Sequence, residues 1–432
     1  MKTILLAAGR STRLNPLSDK NFFKFNGKFL IEHQIQKLLD LNISDIIVVG
    51  GKHNLEKLKD LKEKLDFTLV EQKNLEDGMK GAITSCKDLI QDQEILIVSG
   101  NDIVEKSAYK NVLEKAKTSD GVLLAKKVES YFPGGYIELE NDKIVSIIEK
   151  PGEGNEPSDY VNLVVHYHKH ADKLLEYLEN AESDSDDLYE VALDTLFKNF
   201  EYKAAIYDES WLAIKYPWHV LDVMNMFLEN ITESQIHESV QISETAVIKG
   251  NVIIEEGVKI FDHATIQGPA YIGKKCIIAN NALVRGSIMG DRSVAGYSTE
   301  IARSFLGDDV WTHSNYIGDS IIDSNVSFGA GTVTGNLRLD EKNILVKIKD
   351  EKVSSKRNKL GAIIGSGVRV GINSSIMPGI KVGKSCFVGA NIAIDKNIPN
   401  NSFVRGNTEL IITENKTTEV KMGREEFLKK LK

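Results

Sequence analysis

The chain changes its hydrophobic period once, and that change divides it. Up to about residue 230, short apolar runs alternate with stretches whose apolar residues recur every three or four positions. That alternation predicts strands and amphipathic helices in turn, the pattern of an α/β unit. Strands are predicted over 3–7, 45–50, 94–99, 121–125 and 163–167, each bounded by turn formers or charges. Between the first two, Ile31, Ile35, Leu38 and Leu41 fall on one face of a helix predicted over 30–41. A parallel sheet covered by helices is the expected result.

From Ile236 onward the period is six. Ile236, Ile242, Ile248, Ile254, Ile260, Ile266, Ile272, Ile278 and Val284 follow one another in unbroken six-residue steps, and Ile364, Val370, Ile376, Val382, Val388 and Ile394 repeat the step later. Neither a helix nor an alternating strand has that period. A left-handed parallel β-helix does, because each flat side of its triangular coil takes one hexapeptide with one aliphatic residue inward. Gly273, Gly365, Gly371, Gly383 and Gly389 follow the aliphatic residue, where a tight corner favours a residue without Cβ. Between the two runs the register slips. The polar, Lys-rich stretch 338–359 reads as a loop thrown out from the coils, the usual place for a binding face in a repeat protein. The expected division is an α/β domain over 1–230, a β-helix over 231–405 carrying the 338–359 insertion, and a solvated or partner-packing tail over 406–432 with a basic helix-like end.

Composition narrows the classes. The 432 residues carry 54 Lys plus Arg against 62 Asp plus Glu, a formal charge of −8. Mild acidity is a poor match for a nucleic-acid polymer as partner, so any nucleotide handled is expected to be small. No apolar stretch approaches the roughly 18 to 20 residues of a membrane-spanning helix. Cys86, Cys276 and Cys386 are too few and too far apart for a disulfide framework or a zinc site. Without a signal-peptide cleavage site near the start, the expected compartment is the cytoplasm.

The first strand delivers the chain into Ala8-Gly9-Arg10-Ser11-Thr12-Arg13. Backbone N–H groups of such a small-residue loop can point at phosphate oxygens, with Arg13 and Lys24 adding fixed positive charge where a triphosphate would sit. The loop has neither the glycine pattern of a dinucleotide fingerprint nor the Gly-Lys-Ser/Thr of a P-loop. Leu6 through Arg13, together with Lys24, resembles the signature of the sugar-1-phosphate nucleotidylyltransferases, and further matches follow in that family's order over about 1–230. Gln72 with Gly78 and Gly81 resembles its base-binding segment, and Asp102 in Gly100-Asn101-Asp102 its Mg²⁺-binding carboxylate. Gly135 in Gly134-Gly135-Tyr136, Glu149 in Glu149-Lys150-Pro151, and Asn162 resemble its sugar-contacting residues. The resemblance implies that Arg13 binds the departing pyrophosphate and Lys24 neutralises phosphate near the reacting centre. Where family members carry a second metal-binding Asp or Asn, this chain has Ala213. His166, His168 and His170 alternate as one face of a strand would; they read as a strand end running into a helix over 171–178, and a metal site there is the less favoured reading.

In the β-helix, Thr312-His313-Ser314-Asn315-Tyr316 and Gly329-Ala330-Gly331-Thr332-Val333-Thr334-Gly335-Asn336 resemble the acetyltransferase half of archaeal-type bifunctional enzymes that make UDP-N-acetylglucosamine. By that resemblance His313 is the base that deprotonates the attacking amine, and an imidazole is suited to such work near neutrality. Tyr316 and Asn336 orient the amino sugar, Arg285 binds its phosphate, and Lys342 matches a further family position. Ser374 and Ala390 border the acetyl-CoA cleft. The position of a phosphate-binding Lys reads Ala302, with Arg303 as its neighbour on the opposite face of a continuing strand.

The implied whole is a bifunctional homotrimer that acetylates glucosamine 1-phosphate with acetyl-CoA and then couples the product to UTP with Mg²⁺. A cut after about residue 231 is expected to spare the nucleotidylyl transfer. Two other readings fit the sequence: a monofunctional nucleotidylyltransferase with a structural or regulatory β-helix, and a non-catalytic sugar-nucleotide-binding scaffold.

Overall fold

The computed structural model describes all residues except 186, 408, 410, 417–422 and 432. Nine strands form the first sheet: β1 (Lys2–Leu6), β2 (Ile46–Gly51), β3 (Thr68–Gln72), β4 (Ile95–Ser99), β5 (Gly121–Lys127), β6 (Gly135–Glu140), β7 (Lys143–Glu149), β8 (Tyr160–His168) and β9 (Tyr202–Ile206). Their order is β3-β2-β1-β4-β8-β5-β9-β7-β6. β1, β2 and β4 are nearly continuous runs of Ile, Leu and Val because helices cover both faces. One face packs on helices that include Ala171–Asn180 and Leu188–Asn199, the other on Leu30–Leu39, Leu55–Lys62 and Lys106–Ala116. The sheet is mixed, which corrects the all-parallel expectation. β8 returns from the β6–β7 hairpin and runs antiparallel to both β4 and β5, with a register shift between Leu163 and His166. β1, β2 and β4 all end on the same edge, and the loops that carry residues 7–13 and 100–102 gather there.

Beyond helix His219–Glu229 the chain winds into a left-handed parallel β-helix of three sheets. Early coils pair residues 18 apart, as Ile254 with Ile272 and Ile266 with Val284. The slip in the six-residue register is a shortening of coils: Val284 pairs with Ile301, 17 apart, and Ile301 with Ile317, 16 apart. From Ile254 on, the aliphatic of each hexad is buried in a single core column, but Ile248 is only partly buried and Ile236 and Ile242 are 43% exposed, because no coil stacks on that end. Gly371 illustrates why a glycine follows the aliphatic. A Cβ there would stand 2.6 Å from the Gly389 carbonyl carbon of the next coil, so close stacking excludes one.

The insertion is not thrown out into solvent. It folds as a hairpin, Leu345–Ile348 with Glu351–Ser354, and Ile344, Val346 and Ile348 are buried in a core shared with the α/β unit. That shared core includes Phe23, Phe25, Trp218 and Phe305, with Phe305 5.6 Å from the ring centroids of both Phe23 and Phe25. Polar stitches surround it. Ser18 donates its N–H and its hydroxyl to Asp323 at 2.8 and 2.6 Å, and Arg357 of the insertion pairs with Asp222 of the last α/β helix. In the tail, Ile411 and Ile412 are fully in solvent and Arg424–Lys430 is helical.

Candidate active sites

Where β1 and β4 end, a cleft of ≈ 380 Å³ opens between the 7–10 loop, Asp102 and Glu149. Among the described residues the N–H groups of Ala8, Gly9 and Arg10 have no acceptor within the chain, so they remain free for an anion. Ser11 adopts φ +53°, and its hydroxyl bridges Asp19 and the Lys20 N–H. It opens the 3-10 turn Thr12–Leu14, which carries the exposed Arg13, whose charge acts on Lys20; Arg10 pairs with Glu76 at 2.6 Å.

Beneath the loop lies Lys20. Its Nζ donates to Asn101 at 2.6 Å and stands 4.0 Å from where a Cβ on Gly9 would be. Burial lowers its affinity for the proton, Asp102 and Asp19 oppose that, and Arg13 adds to it. Burial pushes the Asp19 carboxyl up, but hydrogen bonds from His53, Asn54 and Asn21 outweigh burial and hold it below the usual range. Asp102 is anchored at both ends: its carbonyl accepts from Gln34 at 2.7 Å and its carboxylate from the Trp211 indole at 3.3 Å. Ala213 is its direct partner in the short antiparallel ladder, so no second carboxylate faces it there. Gln72 donates its amide nitrogen to the carbonyls of Asn74 and Gly78, both at 2.9 Å, in the space that Gly81 leaves by lacking a Cβ. Gly135 pairs with Glu149 across the β6–β7 hairpin, and a Cβ on Gly135 would stand 3.6 Å from Asn162. His166 holds Asn162 at 2.8 Å and Tyr189 at 2.7 Å, and His168 bonds Tyr202 and Tyr189. Both rings are fully buried with both nitrogens occupied, and the described residues contain no cluster of three or more metal-type ligands.

On the β-helix a second, broader basin of ≈ 1160 Å³ lies between Arg303, Asp319, Lys342 and the insertion. Arg303 grips Asp319 bidentately at 2.7 and 2.7 Å, and Asn336 donates to Asp319 at 2.5 Å and to the Tyr316 hydroxyl at 3.2 Å. Arg285 sits on the same outer face, bonded to Glu300 at 2.6 and 2.9 Å. In register with it stand Ala302 and Gly318, both buried, with the Tyr316 hydroxyl 2.5 Å from where a Cβ on Gly318 would be. His313 is exposed at the turn before Tyr316, its N–H held by Asn315.

Two family models match the chain, one described as nucleotidyl transferase over residues 2–214 and one as a GMPPB C-terminal domain over 230–322. Over nearly the whole length the chain is 34% identical to the bifunctional protein GlmU of Methanococcus maripaludis, covering 96% of this chain and 99% of that protein. It is likewise 34% identical to the bifunctional sugar-1-phosphate nucleotidylyltransferase/acetyltransferase of Sulfurisphaera tokodaii, over 94% of this chain and 100% of the relative. GlmU of Methanocaldococcus jannaschii is 33% identical over 95% and 99%. The chain belongs to this bifunctional nucleotidylyltransferase/acetyltransferase family. It is a transferase of both kinds, built as the family is from a nucleotidyl transferase unit followed by a β-helix.

Against that family frame, three expectations need correction. Lys24 does not line the cleft: its ammonium lies 2.7 Å from Asp308 and 3.1 Å from Asp291 of the β-helix, drawn there by the burial of Phe23 and Phe25 on Phe305. Burial lowers its proton affinity, but the two carboxylates raise it above the ordinary value. Lys20 occupies the place that Lys24 was expected to fill. Ser374 is fully buried, with its hydroxyl donating to Gly389 and accepting from the Ile392 N–H, so it offers nothing to a ligand, whereas Ala390 is exposed. Arg303 reaches the basin because the strand stops at Ala302 and Arg303 turns with φ +49°, so strand alternation does not apply to it. Lys150 also lines the cleft, ion-paired to Glu149 at 2.7 Å. No helix among the described residues is long and apolar enough to cross a membrane.

Proposed function

We propose that the α/β cleft couples N-acetylglucosamine 1-phosphate to UTP, and that the β-helix first acetylates glucosamine 1-phosphate with acetyl-CoA, in the cytoplasm. The observation that carries the first half is the convergence of Asp102, Lys20 and three free backbone amides on one cleft. A sugar phosphate oxygen attacks the α-phosphorus, the Pα–O–Pβ bond breaks, and pyrophosphate leaves. The protein's task is positioning and charge stabilisation, with no covalent nucleophile required. The Ala8–Arg10 amides and Lys20 hold the triphosphate, and Arg13 takes the leaving pyrophosphate. Asp102 fits Mg²⁺, since that ion is commonly held by one or two carboxylates together with substrate phosphates. Bound there, Mg²⁺ would neutralise charge on the α-phosphate. Gln72 supports UTP: its nitrogen is committed to two carbonyls, leaving its oxygen to accept from the imino N–H of uracil and to repel the bare N3 of cytosine. Gly135, Glu149 and Asn162 border the side where the sugar would lie.

In the β-helix reaction the amine nitrogen attacks the thioester carbonyl, the C–S bond breaks, and coenzyme A leaves. His313 takes the amine proton. Arg285, Tyr316, Asn336 and Lys342 hold the amino sugar phosphate. Ala390 and the exposed late coils border the acetyl-CoA cleft. Trp311, Phe387 and Phe403 are each more than half exposed on one outer sheet, which supports a trimer that covers them. The division at about residue 231 follows the change from α/β to coil strands.

The decisive experiment is a panel of nucleoside triphosphates against sugar 1-phosphates, reading pyrophosphate release, alongside coenzyme A release from acetyl-CoA and glucosamine 1-phosphate. UTP with N-acetylglucosamine 1-phosphate is expected to lead the panel, with coenzyme A release abolished in His313→Ala. Coenzyme A release that ignores this substitution would overturn the acetyl-transfer half. Sedimentation as a monomer at micromolar concentration would overturn the trimer.

A further inference from the structure

Lys215 is a cation beside the α/β cleft, within reach of the charges of Asp102 and Glu149, with no role in the proposed transfer. It follows the strand Trp211–Ala213 and is largely buried, where an ammonium normally finds a carboxylate. Among the described residues none lies within ion-pair distance of its Nζ. Instead it donates to the Pro133 carbonyl at 2.7 Å and lies over the Phe132 ring, 3.7 Å from the centroid. The charges acting on it are Asp102 and Glu149 on one side, Arg13 and Lys150 on the other, which are the charges of the cleft itself. Its acceptor, Pro133, immediately precedes Gly134 and Gly135, the turn beside Glu149 and Asn162. The opposing ladder position to Asp102 is Ala213, so the site lacks one negative charge there and gains a positive one two residues later. A buried cation with one carbonyl and one ring face for company has donor capacity left for an anion.

Resting on the proposed nucleotidylyl transfer, we propose that Lys215 is a phosphate-contacting residue of that site, its ammonium binding the phosphate of the sugar 1-phosphate. Its hydrogen bond to Pro133, beside the Gly134–Gly135 turn, favours the sugar phosphate over the triphosphate as its partner. The free amides and Lys20 lie at the 7–10 loop, whereas Lys215 stands on the side of the Pro133–Gly135 turn.

The alternative is a lysine that only anchors the Phe132–Pro133 turn, and the two roles predict opposite signs. A cation kept buried for an absent anion destabilises the empty protein, so Lys215→Met should raise its thermal midpoint while weakening the substrate. An anchor would lower the midpoint. In Lys215→Met, KM for N-acetylglucosamine 1-phosphate should rise about 30-fold or more, with KM for UTP changed less than about 3-fold. Lys215→Arg should recover most of that loss. Calorimetric titration with N-acetylglucosamine 1-phosphate should show the same order of affinities. A lowered midpoint, or a sugar-phosphate affinity within about 3-fold of wild type in Lys215→Met, overturns the proposal. If wild type binds the sugar phosphate but turns it over with no triphosphate, the transfer reading falls, and the calorimetric comparison still decides Lys215.

Discussion

The two halves of the molecule treat their cations in opposite ways. In the β-helix, the arginines in and beside the basin come with carboxylates attached: Arg303 with Asp319, Arg338 with Asp340, Arg357 with Asp222 and, beside it, Arg285 with Glu300. At the α/β cleft, Lys20 and the neighbouring Lys215 are largely buried with no carboxylate in contact among the described residues, and that burial lowers the proton affinity of both, that of Lys215 to about 8. A bidentate pair fixes a guanidinium in one orientation and makes it a rigid wall against which a single phosphate can be placed. An unpaired buried ammonium is instead held ready, its electrostatic deficit relieved when a polyanion arrives. The first arrangement suits a reaction at an amine, where the phosphate is only a handle. The second suits a reaction at phosphorus itself.

The largest test of how far the halves are separate is to part them. A chain ending at residue 231 would expose Phe23, Phe25, Trp218 and Met224, all buried in the shared core, so it is expected to be insoluble or molten rather than active. Soluble expression and a cooperative melt would show that the halves are self-sufficient. Next, Asp102→Asn should lower pyrophosphate release about 10³-fold and leave coenzyme A release alone, and His313→Ala should do the converse by about 10² to 10⁴. Crossed effects would mean one site, not two. Third, the two lysines of the same loop should part company. Lys20→Met should lower kcat/KM for nucleotidylyl transfer about 100-fold with little change in stability. Lys24→Met, which removes the cation shared by Asp291 and Asp308 and leaves Asp308 only Arg292 at 3.9 Å, should cost about 1–3 kcal/mol in urea titrations and change kcat/KM less than 3-fold. Arg303→Lys keeps the charge but loses the fork, and KM for glucosamine 1-phosphate should rise about 10-fold.

The smallest effect is in pH. Lys37 of helix Leu30–Leu39 donates to the Val104 carbonyl at 2.5 Å, and burial lowers its pKa to about 8. Because that lies below the unfolded value, the unfolded chain binds more protons between about pH 8 and 10.4, so stability rises with pH across that window. Lys37→Met should remove a slope worth on the order of 1 kcal/mol, measured by urea titration at pH 7.5 and 9.5. Lys24, raised rather than lowered, works the other way: its contribution is complete below its unfolded pKa and lost as pH climbs through the folded one.

The β-helix was the more legible half, because each hexad commits one residue to the interior and the interior is a single column. A slip there is visible as a missing residue, although only the fold reveals it as a shortened coil. The α/β unit hides more. Strand β8 looks like its neighbours in composition, and nothing in its residues announces that it runs the other way. Lys20 and Lys24 are four residues apart behind one loop, and spacing cannot say which one turns inward. The signal lay in their company. Lys20 stands between Asp19 and Asn21, whereas Lys24 stands among Phe22, Phe23 and Phe25, an apolar run that had to be covered by something. Lys215 was unreadable for a different reason, since its meaning depends on Ala213 facing Asp102 across a ladder of strands more than a hundred residues apart.

The footing of the first site's loop lies in the other half of the chain. Ser18 and Lys24 fasten the return of that loop to Asp323, Asp308 and Asp291 of successive coils. A lineage that no longer needed the acetyl donor could let the imidazole drift, but could not discard the coils themselves, because they have become the floor on which the other enzyme stands.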